Sequence, residues 1–137
     1  MTAWVGVDLD GTLAEYDGWK GIEHIGQPKE WMRGYIQDLI NRGVEVRVVT
    51  ARVQEGYAAL RYIEDWCLNV FGIRLQVTDC KDMDMVFLID DRAYGPRTWH
   101  ALPEPWEVEA STSWHNNPKN PNSPASVAQA DGDSGND

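Results

Sequence analysis

The chain has 137 residues, a formal net charge of −10 and two cysteines. That length suits one small domain with a single core, and the acidic balance excludes broad nonspecific affinity for nucleic acid, which depends on Lys and Arg neutralising phosphates. Residues 1–102 carry 16 acidic against 11 basic side chains and residues 103–137 carry 6 against 1, so each part holds −5. Cys67 and Cys80 lack zinc-ligand spacing and read as reduced thiols. With no basic segment leading into a long apolar core, and no run near the roughly 20 apolar residues that span a bilayer, the expectation is a cytoplasmic protein without a membrane partner.

The first predicted element is an apolar strand beginning at Trp4, followed directly by Asp8-Leu9-Asp10-Gly11-Thr12. Carboxylates two residues apart at a strand end point to the same side of the sheet, and Gly11 lets the backbone turn sharply around whatever binds there. An acidic nucleophile beside a proton-transfer partner suits phosphoryl transfer: one carboxylate attacks phosphorus while the other protonates the leaving oxygen and later activates water. Residues 14–27 form a flap, drawn as a hairpin turning at Asp17-Gly18. Pro28 then opens a helix in which Trp31, Met32, Tyr35, Ile36, Leu39 and Ile40 repeat at helical spacing as a core-facing stripe, with Gly43 as its cap.

Val44–Val49 reads as a buried strand ending at Thr50, whose hydroxyl suits a phosphate oxygen, with Ala51 and Arg52 in the turn that follows. A second helix runs from about Glu55 to Val70, with Ala59, Tyr62, Ile63, Trp66 and Val70 on one stripe, and Phe71-Gly72 ends it. Ile73–Val77 alternates like a strand. Lys81 precedes a last buried strand, Val86–Ile89, which ends at Asp90-Asp91, where hard oxygen ligands for a divalent cation belong. This order of elements predicts a Rossmann-like parallel sheet flanked by helices, with ligands beyond the carboxyl ends of the strands. From Pro103 onward the composition is too polar to repay ordering, so residues 103–137 are expected to be mostly disordered, with Trp106 and Trp114 as docking points.

In the order Asp8-x-Asp10-Gly11-Thr12, Thr50, Lys81, Asp90-Asp91, residues 3 to about 92 resemble the haloacid dehalogenase-like superfamily of phosphohydrolases. The resemblance implies Asp8 as nucleophile and Asp10 as general acid/base, with the Asp10 carbonyl on magnesium. It implies Asp90 as the third protein ligand, with Asp91 assisting, Thr50 on the phosphate, and Lys81 steadying Asp8 and the transferring group. An aspartate at position 10 argues against carbon–halogen chemistry, since dehalogenases of the superfamily lack one there. Gly11, Thr12, Arg52 and Trp19 are candidate substrate contacts, Trp19 because an aromatic in the flap can stack on a base.

Neither the Gly11–Thr50 interval nor the Thr50–Lys81 interval has room for a cap domain, so the resemblance implies a capless enzyme with an open site. Such a site suits a large substrate, or a small one enclosed by a second copy in a homo-oligomer. Ile89-Asp90-Asp91-Arg92 and Thr50-Ala51-Arg52 resemble the 3′-phosphatase domain of polynucleotide kinases. Nucleotides, sugar phosphates and 3′-phosphorylated nucleic-acid ends therefore all stay open as substrates, with Mg2+ as cofactor. A non-catalytic phosphate-binding or interaction module that retains the fold is the alternative from another class, and a receiver-like phosphoacceptor domain ranks below it because its residues follow a different chain order.

Overall fold

The computed structural model describes residues 3–96 and 102–110. Residues up to Tyr16 together with Gly21–Arg92 form one compact unit, and residues 17–20 group with the described residues beyond 92 in a second.

Within the first unit the order is β1 (Trp4–Val7), α1 (Glu30–Asn41), β2 (Glu45–Val49), α2 (Tyr57–Phe71), β3 (Gln76–Thr78) and β4 (Met85–Ile89). The strands form an all-parallel sheet in the order β3-β2-β1-β4. Alternation along β1 and β2 assigns the two faces. Val7, Val46 and Val48 meet Met32 and Ile36 of α1 and Ile63, Cys67 and Phe71 of α2 in one core. Both helices therefore lie on the same face, as two right-handed crossovers stepping in one direction require. The helices stop where glycine permits it: Gly43 just past α1 and Gly72 capping α2 each adopt φ +82°.

The opposite face presents Trp4, Gly6 and Arg47, and within this unit the β3–β4 connection covers it in place of a helix. Asp82 accepts a 2.7 Å bond from Trp4 Nε1, and the Arg47 guanidinium lies 4.4 Å from the centre of the Trp4 ring. Trp4 is consequently fully buried. Gly6 has no spare room, since a Cβ there would lie 3.0 Å from both Leu88 Cδ1 and Val49 Cγ2.

Several expectations change in detail. On α1 only Met32 and Ile36 are buried, while Trp31 is 74 % exposed and Tyr35 also faces outward. The helical stripe is thus narrower than the run of large residues suggested. The last strand is not a buried one: β4 is an edge strand, Val86 sits at a register shift and is 60 % exposed, and Phe87 is 43 % exposed. A simple turn at Met83-Asp84 leads into it.

The flap is not a hairpin either. Its limbs meet at their base, where Ala14 bridges Pro28 and Glu15 N–H donates to the Gln27 carbonyl at 2.8 Å. A Cβ at Gly26 would collide with the Glu15 carbonyl, so the limbs close only with glycine there. In the second unit, Pro105–Ala110 forms a short helix, α3, within the stretch expected to be disordered, and Trp106 and Val108 on it are exposed. Residues 111–137, including Trp114, lie outside the described residues. No described helix is long and apolar enough to cross a membrane.

Candidate functional site

The site follows from register. Val7 of β1 pairs with Ile89 of β4, so the residues just beyond, Asp8 and Asp90, leave adjacent strand ends on the same edge of the sheet. Ligand oxygens of Asp8, Asp90 and Asp91 all lie within 4.8 Å of one another. Oxygen donors at this spacing fit a hard divalent cation.

Thr12 ties the group together. Its hydroxyl lies 3.0 Å from Asp91 Oδ1 and 3.3 Å from Asp8 Oδ2, and it accepts the Asp91 N–H at 2.9 Å. One hydroxyl proton serves one carboxylate at a time, so Thr12 links the acids instead of standing free for a substrate. Gly11 is demanded by the same crowding: its φ is +84°, and a Cβ would lie 2.6 Å from Asp91 Oδ2. The Gly11 and Thr12 N–H groups are spent within the loop, on the Ala14 and Leu9 carbonyls. Asp90 Oδ1 accepts the Arg92 N–H at 2.8 Å, which fixes its rotamer.

Burial, followed by the charge of Asp90 and then a hydrogen bond and charge from Asp91, pushes the Asp8 carboxyl from 3.8 up to about 8. The group acting the other way is the Leu9 backbone N–H. Three acids crowded in this manner hold a proton at neutral pH unless a cation takes its place.

Asp10 stands in a different environment. The Arg52 fork takes both of its oxygens, Nε to Oδ2 at 2.7 Å and Nη2 to Oδ1 at 2.9 Å, with Arg52 only 5 % exposed. Its side chain is therefore directed to Arg52, which leaves its carbonyl as the atom expected to face a metal. The same guanidinium reaches the His24 carbonyl at 3.0 Å and the Ile22 carbonyl at 3.5 Å. Arg52 enters from a 3₁₀ turn, Ala51–Glu55, that the sequence did not announce; its N–H is capped by Thr50 Oγ1 at 3.2 Å. Thr50 is thus a buried N-cap at the end of β2, on the carboxyl edge of the sheet.

One expected contact is not brought to the carboxylates. Lys81 is exposed, and among the described residues no hydrogen bond or ion pair joins it to them. By Asp82 the connection has already reached Trp4, at the opposite end of β1 from Asp8. Trp19 falls in the second unit, next to an Asp17–Lys20 ion pair of 2.9 Å. A lysine passed over in the sequence reaches the loop that follows β1. Lys29 Nζ donates to the Gly11 carbonyl at 2.8 Å, and its own N–H bonds the Leu13 carbonyl. The available signal was its place immediately after Pro28, where the flap returns to the motif loop.

Sheet topology and the position of the acids define an α/β protein with a Rossmann-like parallel sheet and an acidic site at its carboxyl edge. No family model matches the sequence, and no curated protein matches it. Among solved structures, it is similar to a conserved protein from Bacteroides thetaiotaomicron, with 17 % identity, a TM-score of 0.50, and coverage of 82 % of this chain and 94 % of that one. That likeness concerns the fold alone.

Proposed function

We propose that this protein is a capless, magnesium-dependent phosphomonoesterase of the haloacid dehalogenase-like type, working through an aspartyl-phosphate on Asp8. The observation that carries this is the convergence of Asp8, Asp90 and Asp91 at neighbouring strand ends. Bound there, Mg2+ would offset the charge of the acids and of the phosphate. An Asp8 oxygen attacks phosphorus, the bond to the leaving oxygen breaks, and Asp10 gives that oxygen a proton. Water then attacks the acyl phosphate, passes a proton back to Asp10, and phosphate and free Asp8 result. Thr50 accepts from the Arg52 N–H through its oxygen and so retains its own hydroxyl proton for a phosphate oxygen.

The substrate class is a nucleotide, a sugar phosphate or a 3′-phosphorylated nucleic-acid end. A second reading, a phosphate-binding module without turnover, is favoured by one observation: both Asp10 oxygens are engaged by Arg52, and a proton transfer needs one of them released. A panel of 3′-phosphorylated oligonucleotide, nucleoside monophosphates, sugar phosphates and a phosphopeptide, assayed with Mg2+ against an Asp8→Asn control, separates the two. Phosphate release that the control lacks supports the enzyme; phosphate binding with no release by either protein supports the module.

A further inference from the structure

We propose that Arg52 is a positioning residue that fastens Asp10 and the returning limb of the flap to one buried cation, and is not a phosphate-binding residue. This rests on the phosphomonoesterase reading, in which Asp10 is the proton donor. A guanidinium has five N–H donors, and the contacts to Asp10, Ile22 and His24 use four of them. A phosphate would have to compete with these partners for a side chain that is only 5 % exposed.

Both ends of the arrangement are fixed. On one side the Thr50 cap sets the turn from which Arg52 reaches in. On the other, Trp66 Nε1 donates to the Gly26 carbonyl at 3.0 Å, and the Gly26–Glu15 approach holds the base of the flap. Nη2 serves Asp10 Oδ1 and the His24 carbonyl together, so displacement of one is felt by the other. Residues 21–26 and the acid Asp10 thereby move as a unit. A leaving group that presses on this limb meets Asp10 at a position set by Arg52.

The consequence is a dependence on leaving group. An aryl phosphate such as p-nitrophenyl phosphate departs without a proton, whereas an alkyl phosphate such as glycerol 2-phosphate needs one. Steady-state kinetics on the full chain with Mg2+ should show Asp10→Asn losing about 100-fold or more in kcat/KM on the alkyl ester beyond its loss on the aryl ester. Arg52→Lys and Arg52→Met should show the same bias, tenfold or greater, in kcat.

Equal losses on both esters in the Arg52 variants, or a loss confined to KM, would overturn the positioning role provided Asp10→Asn shows the bias. An unbiased Asp10→Asn would instead overturn the acid assignment and this proposal with it, and an inactive wild type would remove the enzymatic reading itself. Because Arg52→Met leaves a carboxylate unpaired and could unfold the chain, the substitution is also made in the Asp10→Asn background. There it should add no more than twofold on the alkyl ester, and a full multiplicative loss would count against coupling through Asp10.

Discussion

Replacing Asp8 with asparagine should stabilise the metal-free protein, by an amount that grows as pH rises from about 4 to about 8. The unfolded carboxyl titrates near 3.8 and the folded one near 8. Below pH 4 both states hold the proton. Between these values the folded state binds more protons than the unfolded chain, so stability falls as pH rises, and the loss is complete once pH passes about 8. About four units at 1.36 kcal/mol each give a ceiling of about 6 kcal/mol. Asp8 is half-buried and shares its repulsion with Asp90 and Asp91 in a solvated edge of high effective dielectric, so about 2–3 kcal/mol is the working figure. An amide of the same shape carries none of this penalty. Thermal unfolding in EDTA should place Asp8→Asn about 10 °C or more above wild type at pH 8, and within a few degrees of it at pH 4. A difference that does not change with pH, or an asparagine variant that melts lower at pH 8, would refute the placement of Asp8 among ionised neighbours.

Four further outcomes follow from the same geometry. Proton and metal compete for the acids, so Mg2+ affinity should rise between pH 6 and pH 8 with proton release, and calorimetry in buffers of different ionisation enthalpy would expose a flat profile. Asp90→Asn and Asp91→Asn should each reduce the Mg2+-induced rise in melting temperature, Asp90→Asn more, since Asp90 leaves the strand end beside Asp8; an undiminished rise in both would remove the site. Lys29→Met should cost about 1.5–3 kcal/mol in urea unfolding through loss of its bond to the Gly11 carbonyl, and a larger loss of stability or turnover in Lys81→Met would reverse that ranking. Gly11→Ala, forced into Asp91 Oδ2 with positive φ, should fold poorly or lose Mg2+ binding, and wild-type behaviour in both assays would contradict the packing.

The strands, the two long helices and their glycine caps were legible in the sequence because each is a local pattern: an apolar run, a helical period, a left-handed stop. Asp8 and Asp90 were legible as strand-end acids for the same reason. Their meeting was expected only through the family resemblance, because it depends on β4 returning to the far side of β1, which the chain reaches through a six-residue connection and a bond from Trp4 to Asp82. Trp31, Tyr35 and Phe87 looked like core because size and apolarity are local, whereas their exposure reflects which face and which edge the sheet leaves uncovered. The partners of Arg52 were hidden for a related reason. Position beside Thr50 put it near the site, but its partners, Asp10 and two flap carbonyls, lie 28 to 42 residues away in sequence.

The contrast between Asp8 and Asp10 is the strongest physical argument for an exogenous cation. Two residues apart on one loop, they meet opposite fates. Asp10 is neutralised by a buried arginine through two hydrogen bonds, as expected of an ion pair kept for structure or orientation. Asp8 is set against two more carboxylates, and the groups that act on it are burial, Asp90, Asp91 and one backbone N–H, with no side-chain cation among them. A fold able to place an arginine on one acid has the means to place one on the other. Leaving three acids facing each other is costly in the free protein, and the cost is recovered only when a positive charge, a metal or a proton, enters from solution. A proton would leave Asp8 unreactive, since the neutral acid is a poor nucleophile. A divalent cation leaves it ionised and oriented, the state in which a carboxylate can act as a nucleophile.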